Sequence, residues 1–254
     1  MKILTFLIVL ISGFSFAQNI NGFRVHSHND YLQNVPFWKA LSASASSVEA
    51  DVFLVGDELL VAHTQNEIDT LRNLEKLYLK PLAKSLEIGF IDGQPFQLLI
   101  DIKSEAYGTL DAIVASIKKY PSIINSNSVS IVISGNRPKA SEYIDYPDFI
   151  HFDYQSLDAV NDTSILEKIA LVSLSFKNFS AWNGKGRPTS EDEKKIVSAI
   201  EKAHALGKPF RFWATPDSKT AWKTLVHLGV DFINTDMPFE CAGYLNKLNA
   251  NTKE

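Results

Sequence analysis

From residue 23 onward the chain alternates between two textures. Short β-rich runs occur at Phe23–Ser27, Ser47–Leu54, Gln97–Lys103, Ser128–Ser134, Phe149–Tyr154, Ala170–Phe176, Pro209–Thr215 and Asp231–Asp236. Between them lie segments with helical spacing. Pro36–Ser44 opens with proline in its first turn. Leu110–Lys119 sets Leu110, Ile113, Val114 and Ile117 on one face. Ser190–Leu206 starts with a capping box, Ser190 to Glu193, and stops at Gly207. Asp217–Leu228 starts on an acidic cap and stops at Gly229, and Phe239–Leu248 closes the chain. Strands alternating with helices predict parallel βα units. Eight such units in this length predict an α/β fold, a single (β/α)8 TIM-like barrel. A doubly wound open sheet is the alternative, and no Gly-x-Gly-x-x-Gly follows the first strand to support it. Tyr78–Phe96 fits neither texture well. No linker, low-complexity tract or charge block interrupts residues 18–254, which read as one domain.

The first 17 residues follow a different pattern. Lys2 precedes an almost wholly apolar stretch, Ile3 to Phe16, and Ser15-Phe16-Ala17 is a small-x-small site. That is the composition of a cleaved secretory signal, so a periplasmic or secreted protein is expected. The run is too short to span a bilayer comfortably and is followed by polar residues, so no stable membrane anchor is expected.

Composition narrows the function. At 45% hydrophobic residues and net charge −4, the chain is too apolar and too weakly charged to be disordered. With 25 Lys+Arg against 29 Asp+Glu, it lacks the basic excess of a nucleic-acid binder. Its single cysteine, Cys241, allows neither an internal disulfide nor a cysteine zinc site, and reads as a buried small hydrophobe. Nothing in the sequence implies a protein partner.

In a barrel, chemistry sits at the C-terminal ends of the strands, and polar residues gather there. Residues i and i+2 of a strand share a face, so Glu49 points with Asp51, and Asp101 with Lys103. Apolar flanks such as Val48, Val52 and Ile100 mark both strands as buried. Buried carboxylates need a partner or a cation. Glu49, Asp51 and Asp101 converging at one rim would make a hard oxygen site for one divalent cation, Mg²⁺ or Ca²⁺. Paired Arg and Lys partners are the alternative use for them. His26 and His63 each end an apolar run where the rim should be, and imidazole suits general acid–base work near neutral pH. Phosphodiester cleavage needs both roles, with Lys103 offsetting phosphoryl charge. His151, His204 and His227 sit mid-strand or on helices and read as structural.

These stretches carry a family resemblance. His26-Ser-His-Asn-Asp-Tyr31, Ser47-Val-Glu-Ala-Asp-Val52, Leu60-Val-Ala-His63, Leu99-Ile-Asp-Ile-Lys103 and Gly229 to Pro238 occur in order along nearly the whole chain. The set resembles the phosphatidylinositol-phospholipase-C-like phosphodiesterase superfamily, nearest its glycerophosphodiester phosphodiesterase branch. The resemblance implies a TIM-like barrel, His26 and His63 as the catalytic pair, and a divalent metal on Glu49, Asp51 and Asp101. It places Lys103 on phosphate, and His28, Asn29, Arg211 and Trp213 at the substrate. The partner it implies is a small-molecule or lipid-headgroup phosphodiester, cleaved by water or through a cyclic phosphate. His26-Ser-His replaces the branch's usual His-Arg-Gly, and Asp101 stands where glutamate is usual, so reaction class carries over further than substrate.

Two other readings fit parts of the pattern. His26-x-His28 also opens the amidohydrolase and histidinol-phosphatase-type sites, which need further metal-binding histidines on later strands. The runs at 170–176, 209–215 and 231–236 contain none. A non-catalytic phosphate-binding barrel should lack one of the histidine pair or the carboxylate trio, and all five residues are present.

Overall fold

The computed structural model describes residues 23–91 and 93–251; the leader-like residues 1–17 lie outside them. Nine strands form: β1 (Arg24–Ser27), β2 (Ser47–Val55), β3 (Glu58–Val61), β4 (Phe96–Ile102), β5 (Val129–Gly135), β6 (Ile150–Tyr154), β7 (Ile169–Ser175), β8 (Phe210–Trp213) and β9 (Phe232–Thr235). All but β3 are parallel, and pairing runs from β1 through β2 and β4 to β9 and back to β1. This is a closed eight-stranded (β/α)8 barrel, as the alternation of textures predicts. β3 lies antiparallel on β2, with Val52 opposite Val61.

Among the described residues eight α-helices accompany the strands: α1 (Trp38–Ser42), α2 (Lys80–Glu87), α3 (Ala106–Ile117), α4 (Pro121–Ile124), α5 (Thr163–Lys168), α6 (Ser190–Ala205), α7 (Lys219–His227) and α8 (Pro238–Asn251). The ambiguous stretch after residue 78 holds α2, whose Leu82 and Ser85 are buried, with Ala83 and Leu86 packed partly buried against the core. The caps of α6 and α7 each shift by one residue from the sequence reading. Thr189 rather than Ser190 caps α6, accepting the Asp192 amide at 3.1 Å. Ser218 caps α7, because the Asp217 carboxylate instead accepts from Trp222 Nε1 at 2.6 Å and the Asp236 amide at 2.8 Å. Among the described residues no helix is long and apolar enough to cross a membrane.

Strand alternation divides the core. Val48, Ala50, Val52, Leu98, Ile100, Ile102, Ile131, Ile133, Phe210 and Phe212 face outward and pack under the helices. Inside the barrel the apolar layer is small: Leu99, Val132, Leu171 and Phe232. Arg24 lies over the Phe232 ring at 4.1 Å. Level with that layer and just above it, β2 and β4 turn carboxylates inward: Glu49 is in register with Leu99, and Asp51 with Asp101. The outward apolar layer therefore holds the barrel, and the inward positions are left for chemistry. Cys241 is buried, as expected, and burial pushes its thiol up.

Candidate active site and metal centre

β2 and β4 deliver three carboxylates to one point. Ligand atoms of Glu49, Asp51 and Asp101 all lie within 4.8 Å of one another. Each is differently held. Glu49 Oε2 accepts from Arg211 Nη1 at 2.9 Å and lies 2.8 Å from His26 Nε2. Burial raises the Glu49 carboxyl, but the His26 hydrogen bond and the guanidinium outweigh it and keep it well below its usual range. Asp51 Oδ2 collects Tyr31 Oη at 2.8 Å, His63 Nδ1 at 3.0 Å and Lys103 Nζ at 3.1 Å. Asp51 Oδ1 is buried with no hydrogen-bond partner among the described residues. Asp101 Oδ1 meets Lys103 Nζ at 3.3 Å. Burial, then the charge on Glu49, push the Asp101 carboxyl up to about 7 against the pull of Lys103.

This arrangement fits a divalent cation. Two cationic side chains face three carboxylates, and Arg211 is shared with a fourth, Asp153, at 3.5 Å. The excess negative charge shows in Asp101, and the orphaned Asp51 oxygen is a buried acceptor in need of a positive partner. Three carboxylate oxygens suit Mg²⁺ or Ca²⁺ better than a softer metal.

A cleft of about 430 Å³ opens over the trio, lined among others by His28, Asn29, His63, Lys103, Arg211 and Trp213. His63 follows β3, whose pairing with β2 sets the Ala62 amide 3.2 Å from the Asp51 carbonyl and so carries the imidazole to the carboxylate. Trp213 ends β8 at the rim, 37% exposed. Arg211, one turn of the pleat deeper, is buried.

The structure sets His26 beneath the cleft rather than in it. Its ring is fully buried and does not line the cleft. Nδ1 pairs with Ser47 Oγ at 2.7 Å and Nε2 with Glu49, while Arg211 Nη1 lies 2.6 Å from Nε2. Both nitrogens are committed, and burial followed by the Arg211 charge pulls the ring down to about 4. The reason is register. His26 pairs with Ser47, two positions below Glu49, so it lies under the carboxylates. His28, two residues on, reaches the cleft. Its Nδ1 bonds Asp236 Oδ1 at 2.7 Å and its Nε2 lies 4.0 Å from Glu49 Oε1. Burial lowers His28, but Asp236 and Glu49 outweigh it and raise the ring above its ordinary value.

Tyr31 is buried, with its hydroxyl on Asn29, Asp51 and His63. Asn29 has a left-handed backbone, φ 47°, and directs its side chain between His28 and Tyr31. Sequence reasoning also missed Gly135. At φ +68° it leaves space for Asp101, whose Oδ1 would lie 2.1 Å from an added Cβ. The only hint was a glycine directly after a strand's last serine. His204 pairs with Asp231 at 2.8 Å, away from the site.

Residues 14–91 match the AIM6-like phosphodiesterase domain, and residues 209–238 match the glycerophosphoryl diester phosphodiesterase family. Among curated relatives, an "Altered inheritance of mitochondria protein 6 homolog" of Arthroderma benhamiae is 29% identical, over 87% of this chain and 83% of its own. The Eremothecium gossypii protein of that name is 28% identical, over 84% and 67%. Among solved structures, a glycerophosphodiester phosphodiesterase from Parabacteroides distasonis superposes with a TM-score of 0.60 at 16% identity, covering 90% of this chain and 98% of its own. A calcium-dependent phosphoinositol-specific phospholipase C from a Pseudomonas species does so at 0.56 and 12%, covering 89% and 92%. At those identities the structures share the fold.

The relatives overturn the expected periplasmic or secreted location. They are fungal proteins named for mitochondrial inheritance, not secreted or periplasmic ones. An apolar run behind a single lysine has a leader's composition, but an address is read by a receptor and hydropathy alone does not specify it. The two family matches lie at the two ends of one closed barrel, and both make this chain similar to phosphodiesterase families.

Proposed function

We propose that the protein is a divalent-cation-dependent phosphoric diester hydrolase acting on a small-molecule or lipid-headgroup phosphodiester. The observation that carries this is the orphaned Asp51 Oδ1 within a carboxylate trio, flanked by two imidazoles that face one cleft. Glu49, Asp51 and Asp101 would hold the cation, which when bound supplies Lewis-acid polarisation of the phosphoryl group. His63 keeps its Nδ1 proton on Asp51, which leaves the Nε2 lone pair to accept a proton from the nucleophile. That nucleophile is water or a neighbouring hydroxyl of the substrate, the latter giving a cyclic phosphate first. His28, whose ring Asp236 raises above its ordinary value against the effect of burial, returns a proton to the leaving alkoxide. Lys103 lines the cleft beside Asp101 and offsets charge on the non-bridging oxygens. His28 takes the place the sequence reading gave to His26. Asn29, Arg211 and Trp213 border the same cleft; Trp213 offers the exposed face for the leaving group.

The test is turnover of glycerophosphodiesters, inositol lipids and sphingomyelin-type lipids with Mg²⁺, Ca²⁺ or chelator. Release of a phosphomonoester or cyclic phosphate that chelator abolishes, and that folded Glu49→Ala and His63→Ala variants lose by at least about a hundredfold, is expected. Full activity in either variant would refute the assignment. An amidohydrolase-like site would instead respond to zinc, and a binding barrel would bind a diester without turnover.

A further inference from the structure

The hydroxyl of Tyr31 and the amide of Asn29 lie between the two histidines, and the proton inventory there has one consistent solution. His28 Nδ1 lies 2.7 Å from Asp236 Oδ1, so that nitrogen carries a proton and donates it to the carboxylate. The Asn29 side chain lies 3.0 Å from the same nitrogen. The structure sets Asn29 Nδ2 there and Oδ1 on the Tyr31 side, but a donor cannot face a donor, so the relay turns the amide over and presents its carbonyl to His28. The two ends of an amide differ only in their protons, so the network decides which is which. The amide NH₂ is then the end 2.7 Å from Tyr31 Oη. The phenol oxygen accepts from it and sends its single proton to Asp51 Oδ2 at 2.8 Å. Its remaining lone pair faces His63 Nδ1 at 3.2 Å, which is tolerable only if Nδ1 carries a proton. That proton also satisfies Asp51 Oδ2 at 3.0 Å.

We propose that Asn29 and Tyr31 form a hydrogen-bond relay that ties His28 to His63 and fixes both rings with Nδ1 protonated and Nε2 turned to the cleft. Both are positioning residues and neither touches the reacting atoms. The relay deepens the reading of the site as an acid–base pair, and its acid–base consequence rests on that reading. Its packing supports it. Tyr31 is 2% exposed, and Asn29 holds the left-handed backbone that aims its amide, a conformation asparagine tolerates better than most residues. The relay also puts every donor of Asp51 on Oδ2, which leaves Oδ1 for a cation.

The test uses the full chain with Tyr31→Phe, which deletes only the hydroxyl, and Asn29→Gly, which keeps the left-handed backbone and deletes the amide. Nitrogen-15 spectra of the imidazole rings report the tautomers directly. In the parent protein His63 should show protonated Nδ1 and bare Nε2. Each variant should populate the other His63 tautomer, although Asn29 does not itself touch His63. With a diester substrate, kcat should fall by about 10–100-fold with KM within about threefold, the usual size of a supporting-residue effect. The double variant should be no worse than the poorer single one, because either break opens the same chain. His63 nitrogen signals unmoved in Asn29→Gly, or losses that multiply in the double variant, overturn the relay. If Tyr31→Phe fails to fold, Asn29→Gly decides alone. If the parent protein turns over no diester, the proposed activity fails and the spectra still decide the relay.

Discussion

Gly135→Ala is the smallest change that should reach the carboxylate trio. Gly135 ends β5 at φ +68°, where an L-residue costs roughly 1–2 kcal/mol relative to glycine. The added Cβ would lie 2.1 Å from Asp101 Oδ1, 2.5 Å from the Ile102 carbonyl oxygen and 2.9 Å from the Ile102 nitrogen. Two of those atoms are backbone of β4, paired in register with β5, and cannot retreat without breaking the ladder. The carboxylate can rotate, but only by leaving the trio. Overpacking of this kind adds about 1–3 kcal/mol, so the total is about 2–5 kcal/mol. For a chain of this size each kcal/mol moves Tm by about 2–4 °C, which gives a fall on the order of 10 °C by thermal circular dichroism. Calorimetric titration with Mg²⁺ and Ca²⁺ should show affinity weakened by at least about tenfold, as when a ligand's support is lost. A Tm within 2 °C of the parent (roughly the smallest shift expected per kcal/mol), with cation affinity unchanged, would refute the account of Asp101 seated against the end of β5.

Three further outcomes follow from the same network. Arg211→Met leaves Glu49 and Asp153 buried without their cation; breaking such a pair costs about 3–5 kcal/mol, read as a lower denaturant midpoint with unchanged slope. His26 titrates near 4 when folded and 6.5 when free, so the unfolded chain binds the extra proton first. Its contribution to stability is complete above pH 6.5 and is lost as pH falls toward 4, by on the order of 3 kcal/mol, and a flat denaturation midpoint across that window would contradict its burial. Asp236→Asn removes the partner that raises His28, so the alkaline limb of the kcat/KM profile should move to lower pH; an unmoved limb would exclude His28 as the general acid.

Much of the site was legible because strands have a period of two. Glu49 and Asp51 had to share a face, and apolar neighbours on the other face had to be buried. Asp101 and Lys103 followed from the same rule. The choice between His26 and His28 was not legible, since both lie on that face of β1. Which ring sits under the carboxylates depends on the stagger of β1 against β2, and barrel closure sets that stagger. The burial of Tyr31 was not legible, because it lies in a single 3₁₀ turn, where no period says which way a side chain goes. The left-handed Asn29 turns the chain back and buries the phenol against Asp51. Asp236 was visible as a strand-end residue, but its partnership with His28 joins opposite ends of the chain.

By itself the sequence determined the fold class, the single barrel and the inward carboxylates, because hydrophobic periodicity and short-range spacing act within each element. It did not determine the cellular address, which a receptor reads. The tertiary structure decided which histidine faces the cleft, which cation serves which carboxylate, and where Gly135 yields room. Those are relations between strands far apart in sequence, and only closing the sheet brings β9 beside β1 and so fixes them.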